Sequence, residues 1–258
     1  MIKVIKNFIK YKEFLIAVIK RDIRKKYYKS YLGVIWTVLH PLLNAIVMTI
    51  VFSTLFRRSI PNFIVYLLCG QLLYHYNSES TNLALHSITK NSGIIRKIYI
   101  PKYMFVISDL SVAFMNLVFS FLPLIFIAIY TGAKITWLWL FIPVLLLMQT
   151  MFSLGLSLIL AAYGVFFRDL THLYGIMLTV GHYLCAIFYP ISIVPEKYLF
   201  LWRLNPIYNY ISIFRAIVYS ATMPSLESIV IGAIYGVLTL GMGCAIFSEN
   251  QEKFFLHI

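Results

Sequence analysis

The chain has 258 residues, 61% of them hydrophobic and 12% charged, against about 45–50% apolar and 25% charged in an ordinary soluble domain. A mean hydropathy of +0.84 is more than one water-soluble core hides, because even a domain of about 300 residues leaves roughly a quarter of its unfolded-chain surface exposed, so the remaining solvent is lipid. Lys and Arg outnumber Asp and Glu by 22 to 9, a net charge of +13, which in a membrane protein marks cytoplasmic faces and anionic headgroups rather than nucleic acid. Cys69, Cys185 and Cys244 lie in apolar stretches without C-x-x-C spacing. They suggest neither a disulfide scaffold nor a zinc site and read as small buried hydrophobes.

Ten Lys/Arg are scattered through residues 1–30, with no unbroken apolar core of the kind a signal peptide needs. On a helical projection Ile5, Phe8, Ile9, Ile16, Ile19 and Ile23 share one side, and Lys3, Lys6, Lys10, Arg21 and Arg24 the other. This pattern predicts an amphipathic helix on the membrane surface, with Lys12 snorkelling from the apolar side. Residues 32–55 are an uncharged run of 24, about 36 Å as a helix and enough for a first span. A second span is expected over 63–87, its later half unusually polar. The basic segment 90–102 follows, then a third span over 104–130, a turn at Thr131-Gly132-Ala133-Lys134 and a long fourth span over 137–167. A fifth span runs over 170–189 and a last over 228–247.

The stretch between Pro190 and Glu227 carries Pro195, Pro206, Pro224 and several charges. It reads as two short helices that dip into the membrane and return, the alternative being an ordinary external loop. The expected fold is therefore an all-α polytopic membrane protein in two parts. An amphipathic helix occupies 1–30, and a six-span transmembrane domain occupies 31–258, with a cytoplasmic segment at 90–102 and a re-entrant segment at 190–220. Ten of the basic residues lie in 1–30, four in 90–102, and Arg168 and Lys253 fall on the same side. Only Arg57, Arg58, Lys134, Lys197, Arg203 and Arg215 fall on the other, so both termini are expected to be cytoplasmic.

No two of the nine acids are expected on one helix face, and the chain has no H-E-x-x-H, G-x-S-x-G, D-x-x-D or phosphate-loop motif. An ATPase or hydrolase site of its own is thereby excluded, and no cofactor is expected on this chain. His40 and His182 lack a second ligand-type residue at helical spacing and read as packed groups. The polar run Tyr74-His75-Tyr76-Asn77-Ser78-Glu79-Ser80-Thr81-Asn82 must face protein or water, as a pore wall or a subunit interface. Candidate channel-lining residues are Tyr74, Tyr76, Asn77, Glu79, Asn82 and Asp109. Glu79 and Asp109 are expected to pair with Lys97, Lys102 or the surface helix. The mixed apolar and basic segment from Lys90 to Pro101 either lies on the membrane or docks in a groove of a soluble partner. Tyr189, Tyr198, Trp202, Tyr208 and Tyr210 are lipid anchors or platforms for sugar rings.

Arg21-Asp22-Ile23, Tyr27, Leu32-Gly33, Trp36 and Pro41 resemble the opening pattern of the transmembrane subunits of type 2 ABC exporters for lipid-linked polysaccharides. Lys97-Ile98-Tyr99-Ile100-Pro101, Phe166-Phe167-Arg168-Asp169, Tyr189-Pro190, Val194-Pro195-Glu196-Lys197 and Leu204-Asn205-Pro206 continue the resemblance in order. It implies a homodimer in the cytoplasmic (inner) membrane on two copies of a cytoplasmic ABC ATPase that holds ATP and Mg, moving an undecaprenyl-linked glycan. It further implies a coupling helix carrying Asn91, Ile94, Ile95, Arg96, Lys97, Tyr99 and Pro101, and an interfacial helix or cytoplasmic gate carrying Arg21, Asp22, Arg24 and Tyr27. The external gate implied carries Tyr189, Pro190, Tyr198, Trp202, Asn205 and Tyr208. The alternatives are an ABC permease for a drug or lipid, and an integral-membrane transferase acting on lipid-linked sugars, which the missing acid pair disfavours.

Overall fold

The computed structural model describes residues 10–28, 31–33, 35–56 and 60–256. The expected placements of Lys3, Ile5, Lys6, Phe8 and Ile9, and of Arg57 and Arg58, fall outside the described residues, as does the side chain of Tyr27. Within them the chain is helical, in the order α1 (Lys12–Tyr27), α2 (Ile35–Phe56), α3 (Phe63–Leu85), the single turns α4 (Ser87–Lys90) and α5 (Ser92–Ile95), and α6 (Tyr103–Tyr130). There follow a 3-10 turn Trp137–Phe141, α7 (Ile142–Phe166), α8 (Leu170–Leu184), 3-10 turns Ile191–Ile193 and Glu196–Tyr198, α9 (Leu199–Arg203), α10 (Pro206–Val218) and α11 (Leu226–Asn250).

Among the described residues, four helical stretches are long and apolar enough to cross a bilayer: Ile35–Phe52, Tyr103–Tyr130, Trp137–Phe166 and Leu226–Asn250. Helix α3 has the length, 23 residues or about 35 Å, but its polar second half lowers its hydropathy. Helix α8 has only 15 residues and ends at Leu184 rather than at the expected 189. The reason lies in the next residues. Ala186 takes a left-handed φ of 47°, and the carbonyls that would have continued the helix are taken by side chains. Asn205 Nδ2 donates to Leu184 O at 3.2 Å, and Arg215 donates to Ala186 O at 3.0 Å and Ile187 O at 3.1 Å.

The most extensive helix pair is α7 against α11, and glycine makes it possible. A Cβ on Gly155 would run into the backbone of Thr239 and Leu240, and one on Gly243 into the backbone of Gly155. In hydrocarbon, where lipid tails are as apolar as Leu, such close backbone approach is a main source of helix association. Helix α3 lies between α2, α6, α7 and α10. Amphipathic α10 buries Tyr210, Ile211, Ile213, Phe214, Ile217 and Val218 in this central core. Tyr210, proposed above as a lipid anchor or sugar platform, is fully buried and donates to Gly232 O at 2.8 Å. It is a core residue, because the apolar face of α10 turns inward.

Helix α1 packs on α6, but not with the face the projection favours. Leu15 and Val18 are buried, Phe14 meets Phe105 edge-on at 5.5 Å, and Ile16, Ile19 and Ile23 stay half-exposed. The apolar side is wide enough to meet protein along one edge and leave a second apolar edge uncovered. The segment 90–102 is not one helix. Lys90 ends α4, a second turn covers Ser92–Ile95, and Tyr99 and Ile100 before Pro101 are in no helix, as expected where a proline ring disfavours the α conformation of the preceding residue. Ile95 and Ile100 turn inward to a cluster with Phe105, Ala161, Phe247 and Phe254, which leaves Arg96, Lys97, Ile98 and Tyr99 exposed, Tyr99 at 94%.

Candidate functional site

Helices α2, α3 and α6 enclose a cavity of about 500 Å³, with His182 of α8 and Lys26 of α1 at its edge. Its shape begins with a proline. Pro41 inside α2 lacks an N–H, so the carbonyl of Thr37, four residues earlier, loses its helical donor. Ser120 of α6 donates to that carbonyl at 3.4 Å. Thr37, Pro41 and Ser120 all line the cavity, together with Trp36, His40 and Asn44.

The polar run of α3 supplies the opposite wall and divides between two surfaces, because residues three and four apart share a helix face. Tyr74, His75, Ser78 and Glu79 face the cavity. Asn77, Ser80 and Thr81 are buried, where Asn77 Oδ1 accepts from Ser153 Oγ at 3.0 Å and Thr81 Oγ1 accepts from Tyr174 at 2.6 Å. Tyr76 belongs to both surfaces, lining the cavity while its hydroxyl donates to Thr150 at 3.0 Å. Tyr74 donates to Leu178 O of α8 and lies edge-on to His182, ring centres 4.7 Å apart. Of the six channel candidates, Tyr74, Tyr76 and Glu79 therefore line the cavity. Asn77 and Asp109 are buried inside the chain and Asn82 is exposed away from it.

Glu79 is the charged centre of the cavity. Its Oε1 accepts from Lys26 Nζ at 2.7 Å and from Asn116 Nδ2 at 2.8 Å, and His75 Nδ1 stands 3.9 Å from Oε2. Its partner is the surface helix, as one of the expected alternatives had it, and not Lys97 or Lys102. Asp109 pairs with Lys90 at 3.4 Å, a residue in neither expected set. Lys102 instead donates to Gln251 O and stands over the Phe254 ring, 5.3 Å from its centre.

At the end that carries the exposed segment, Arg21 Nε donates to Asp22 Oδ1 at 2.8 Å and Arg21 Nη2 to Asn91 Oδ1 at 2.9 Å. Lys90 Nζ lies 3.3 Å from Asp22 Oδ2. Burial pushes the Asp22 carboxyl up, but the Arg21 hydrogen bond and the nearby Lys90 and Arg21 charges outweigh it and hold it below the usual carboxylate range. Arg24 is exposed, in a basic groove with Lys20, Arg21 and Lys25. Of the coupling candidates, Asn91 and Ile95 are buried, Ile94 and Pro101 half-buried, and Arg96, Lys97 and Tyr99 exposed.

Between α8 and α10, Asn205 caps α10 by accepting from Ile207 N at 3.0 Å and Tyr208 N at 3.4 Å. Tyr189 donates to Tyr183 O at 2.6 Å. Pro190, Trp202 and Tyr208 are half-buried, and Tyr198 is exposed under Lys197, whose Nζ is 4.7 Å from the ring centre. The residue that sequence reasoning passed over here is Arg215, only 8% exposed. Its signal was a lone cation in the apolar run 207–218. A buried cation of this kind is rare and needs a partner. The other omission is Lys26, which no periodicity distinguishes from the five basic residues beside it.

Long apolar helices beside a cavity that holds a carboxylate and its cation, with a basic and apolar surface offered beyond one end, are the build of a polytopic membrane permease. The chain matches the sequence model of the ABC-2 type transporter family over residues 13–219 and belongs to that family. Its members are transmembrane subunits, and ATP hydrolysis belongs to a separate partner chain. The chain is similar to an O-antigen export system permease protein RfbA of Myxococcus xanthus, 28% identical over 256 residues and covering 98% of each chain. An RfbA protein of Klebsiella pneumoniae is 26% identical over 94% of this chain and 93% of its own. The polysialic acid transport protein KpsM of Escherichia coli is 24% identical over 92% of this chain and 93% of its own.

Proposed function

We propose that this chain is the permease of an ATP-driven exporter that moves an undecaprenyl-linked polysaccharide of the O-antigen, capsule or teichoic-acid type across the cytoplasmic membrane. The observation that carries the reading is the near end-to-end similarity to O-antigen export permeases, 98% of both chains for the Myxococcus protein. Two copies form the transmembrane unit. The face of α2 bearing Leu43, Val47, Ile50 and Val51, and that of α8 bearing Leu173, Ile176, Met177 and Val180, are exposed apolar surfaces flanking the cavity. A second copy packed there would turn two cavities into one path.

Each subunit crosses six times, through α2, α3, α6, the 137–166 stretch, α8 and α11, with both termini cytoplasmic. Helix α1 rests on the inner leaflet, where its basic groove meets anionic headgroups. Arg96, Lys97, Ile98 and Tyr99 dock on a cytoplasmic ATPase, two copies per dimer, which holds ATP and Mg. Nucleotide-driven closure of the ATPases displaces this segment and favours one of two packings of the spans. Glu79, Tyr74 and Tyr76 line the path, and the segment from Tyr189 to Ser220 gates its outer end.

Copurification with the ATPase, followed by mass spectrometry of the bound lipid, tests the reading. A polyprenyl-linked glycan is the expected ligand. A complex that carries only phospholipid and turns over without a glycan overturns it in favour of a lipid or drug permease.

A further inference from the structure

We infer that Lys90 is a positioning residue through which displacement of the ATPase-docked segment reaches both the surface helix α1 and the third span α6. The inference rests on the reading of 90–101 as the docked segment. Two neighbouring residues of that segment hold two neighbouring residues of α1. Lys90 Nζ lies 3.3 Å from Asp22 Oδ2, and Asn91 Oδ1 accepts from Arg21 Nη2 at 2.9 Å. Arg21 closes the ring by donating to Asp22 at 2.8 Å, and Asn91 Nδ2 is pinned to Ser87 O at 2.8 Å.

The same ammonium also stands 3.4 Å from Asp109 Oδ1, so one cation serves carboxylates on two different helices. Asp109 is 2% exposed and the Asp22 side chain 9%, which makes the arrangement stiff in charge. If Lys90 leaves, two like charges are left close together in a low-dielectric pocket. It is flexible in geometry, because an ammonium on a four-carbon stem keeps both contacts through a change of angle that a planar guanidinium resists. A push on Asn91 and α5 thus carries Arg21 and Asp22 with it and pulls on α6 at Asp109. Lys26 lies one turn beyond Asp22 on α1 and holds Glu79 at 2.7 Å, so the same movement reaches the cavity wall.

The test uses the full chain with Cys244→Ser and spin labels at the exposed positions Lys25 and Thr89, and in parallel the complete transporter in vesicles. Lys90→Met should broaden the label-to-label distance distribution. In the complex it should cut export by about tenfold, an ordinary size for a lost coupling, while ATP hydrolysis continues. Lys90→Arg should keep the narrow distribution and give intermediate export. Adding Asp109→Asn to Lys90→Met removes the stranded charge and should restore protein level without restoring export. This double variant also carries the test where Lys90→Met alone does not accumulate. Full export by Lys90→Met or by the double variant, or a distance distribution unchanged in Lys90→Met, overturns the inference. A broadened distribution in a chain that binds no ATPase instead overturns the docking reading and leaves the joint itself standing.

Discussion

The guanidinium carbon of Arg215 lies 3.5 Å from the centre of the Tyr66 ring, and its nitrogens donate to Tyr66 O, Ala186 O and Ile187 O. Among the described residues no carboxylate forms an ion pair with it. The charge is met by an aromatic face and by carbonyls just beyond the C-terminus of α8, where a helix carries partial negative charge. Arg215 thereby ties α10, the start of α3 and the turn that ends α8. Gly70 makes room for it, since a Cβ there would come within 2.9 Å of Arg215 Nη2.

Arg215→Leu should therefore destabilise the protein, because buried carbonyls lose their donors and hydrogen bonds to charged groups contribute about 1.5–3 kcal/mol each. Arg215→Lys keeps the charge but cannot span three carbonyls, and its melting temperature in detergent should fall between those of the parent and Arg215→Leu. Equal melting of the parent and Arg215→Leu would show that the guanidinium holds nothing.

Gly155→Ala and Gly243→Ala should each cost about 1–3 kcal/mol, the usual range for overpacking, since the atoms they meet are backbone of the facing helix and cannot swing aside. Gly241→Ala, two residues from Gly243 and with nothing within 4 Å of its added Cβ, should be neutral or slightly stabilising. Thermal unfolding of the three variants compares them directly. A loss at Gly241 equal to that at Gly243 would contradict the packing of α7 on α11.

Arg96→Glu with Lys97→Glu should leave the chain inserted and uncouple it from the ATPase. Exposed ion pairs are worth about 0.2–1 kcal/mol each, and two reversals replace attraction by repulsion, so binding should weaken by about tenfold. Titration of the purified ATPase against the permease in vesicles measures this. Undiminished binding and undiminished stimulation of ATP hydrolysis would place docking elsewhere.

Cysteines at Lys197 and Ser220, both exposed, should react with an impermeant reagent from outside intact cells, because Pro195 and Pro206 break the segment into short helices of 5 and 13 residues, and with both termini on one side a single further crossing is forbidden. Opposite-side labelling would remove the re-entrant gate. On the same segment Trp202→Ala or Tyr208→Ala should lower export more than membrane insertion, and unchanged export would make those rings lipid anchors.

Hydropathy and periodicity are properties of neighbouring residues, and what depends on neighbours was legible in the chain itself. The membrane class, the four most apolar spans, an N-terminal helix and the polar anomaly of 74–82 all follow from runs and spacings that lipid imposes on a sequence. The start of α10 is set locally as well, by the Asn205 side-chain cap and a proline in the first turn. Tertiary structure alone decided which polar groups meet. Lys90 and Asp22 are 68 positions apart and Arg215 and Tyr66 are 149 apart, and no local pattern selects such a partner among 22 basic residues and 19 tyrosines. Packing also decided that α8 stops at Leu184, that Leu15 and Val18 rather than Ile16 and Ile19 meet protein, and that Asn77 bonds to Ser153 while Glu79 faces the cavity. Each outcome depends on which backbone approaches closely enough to exclude lipid, and that distance is set at glycine and proline positions such as Gly155 and Pro41 by the helix on the other side.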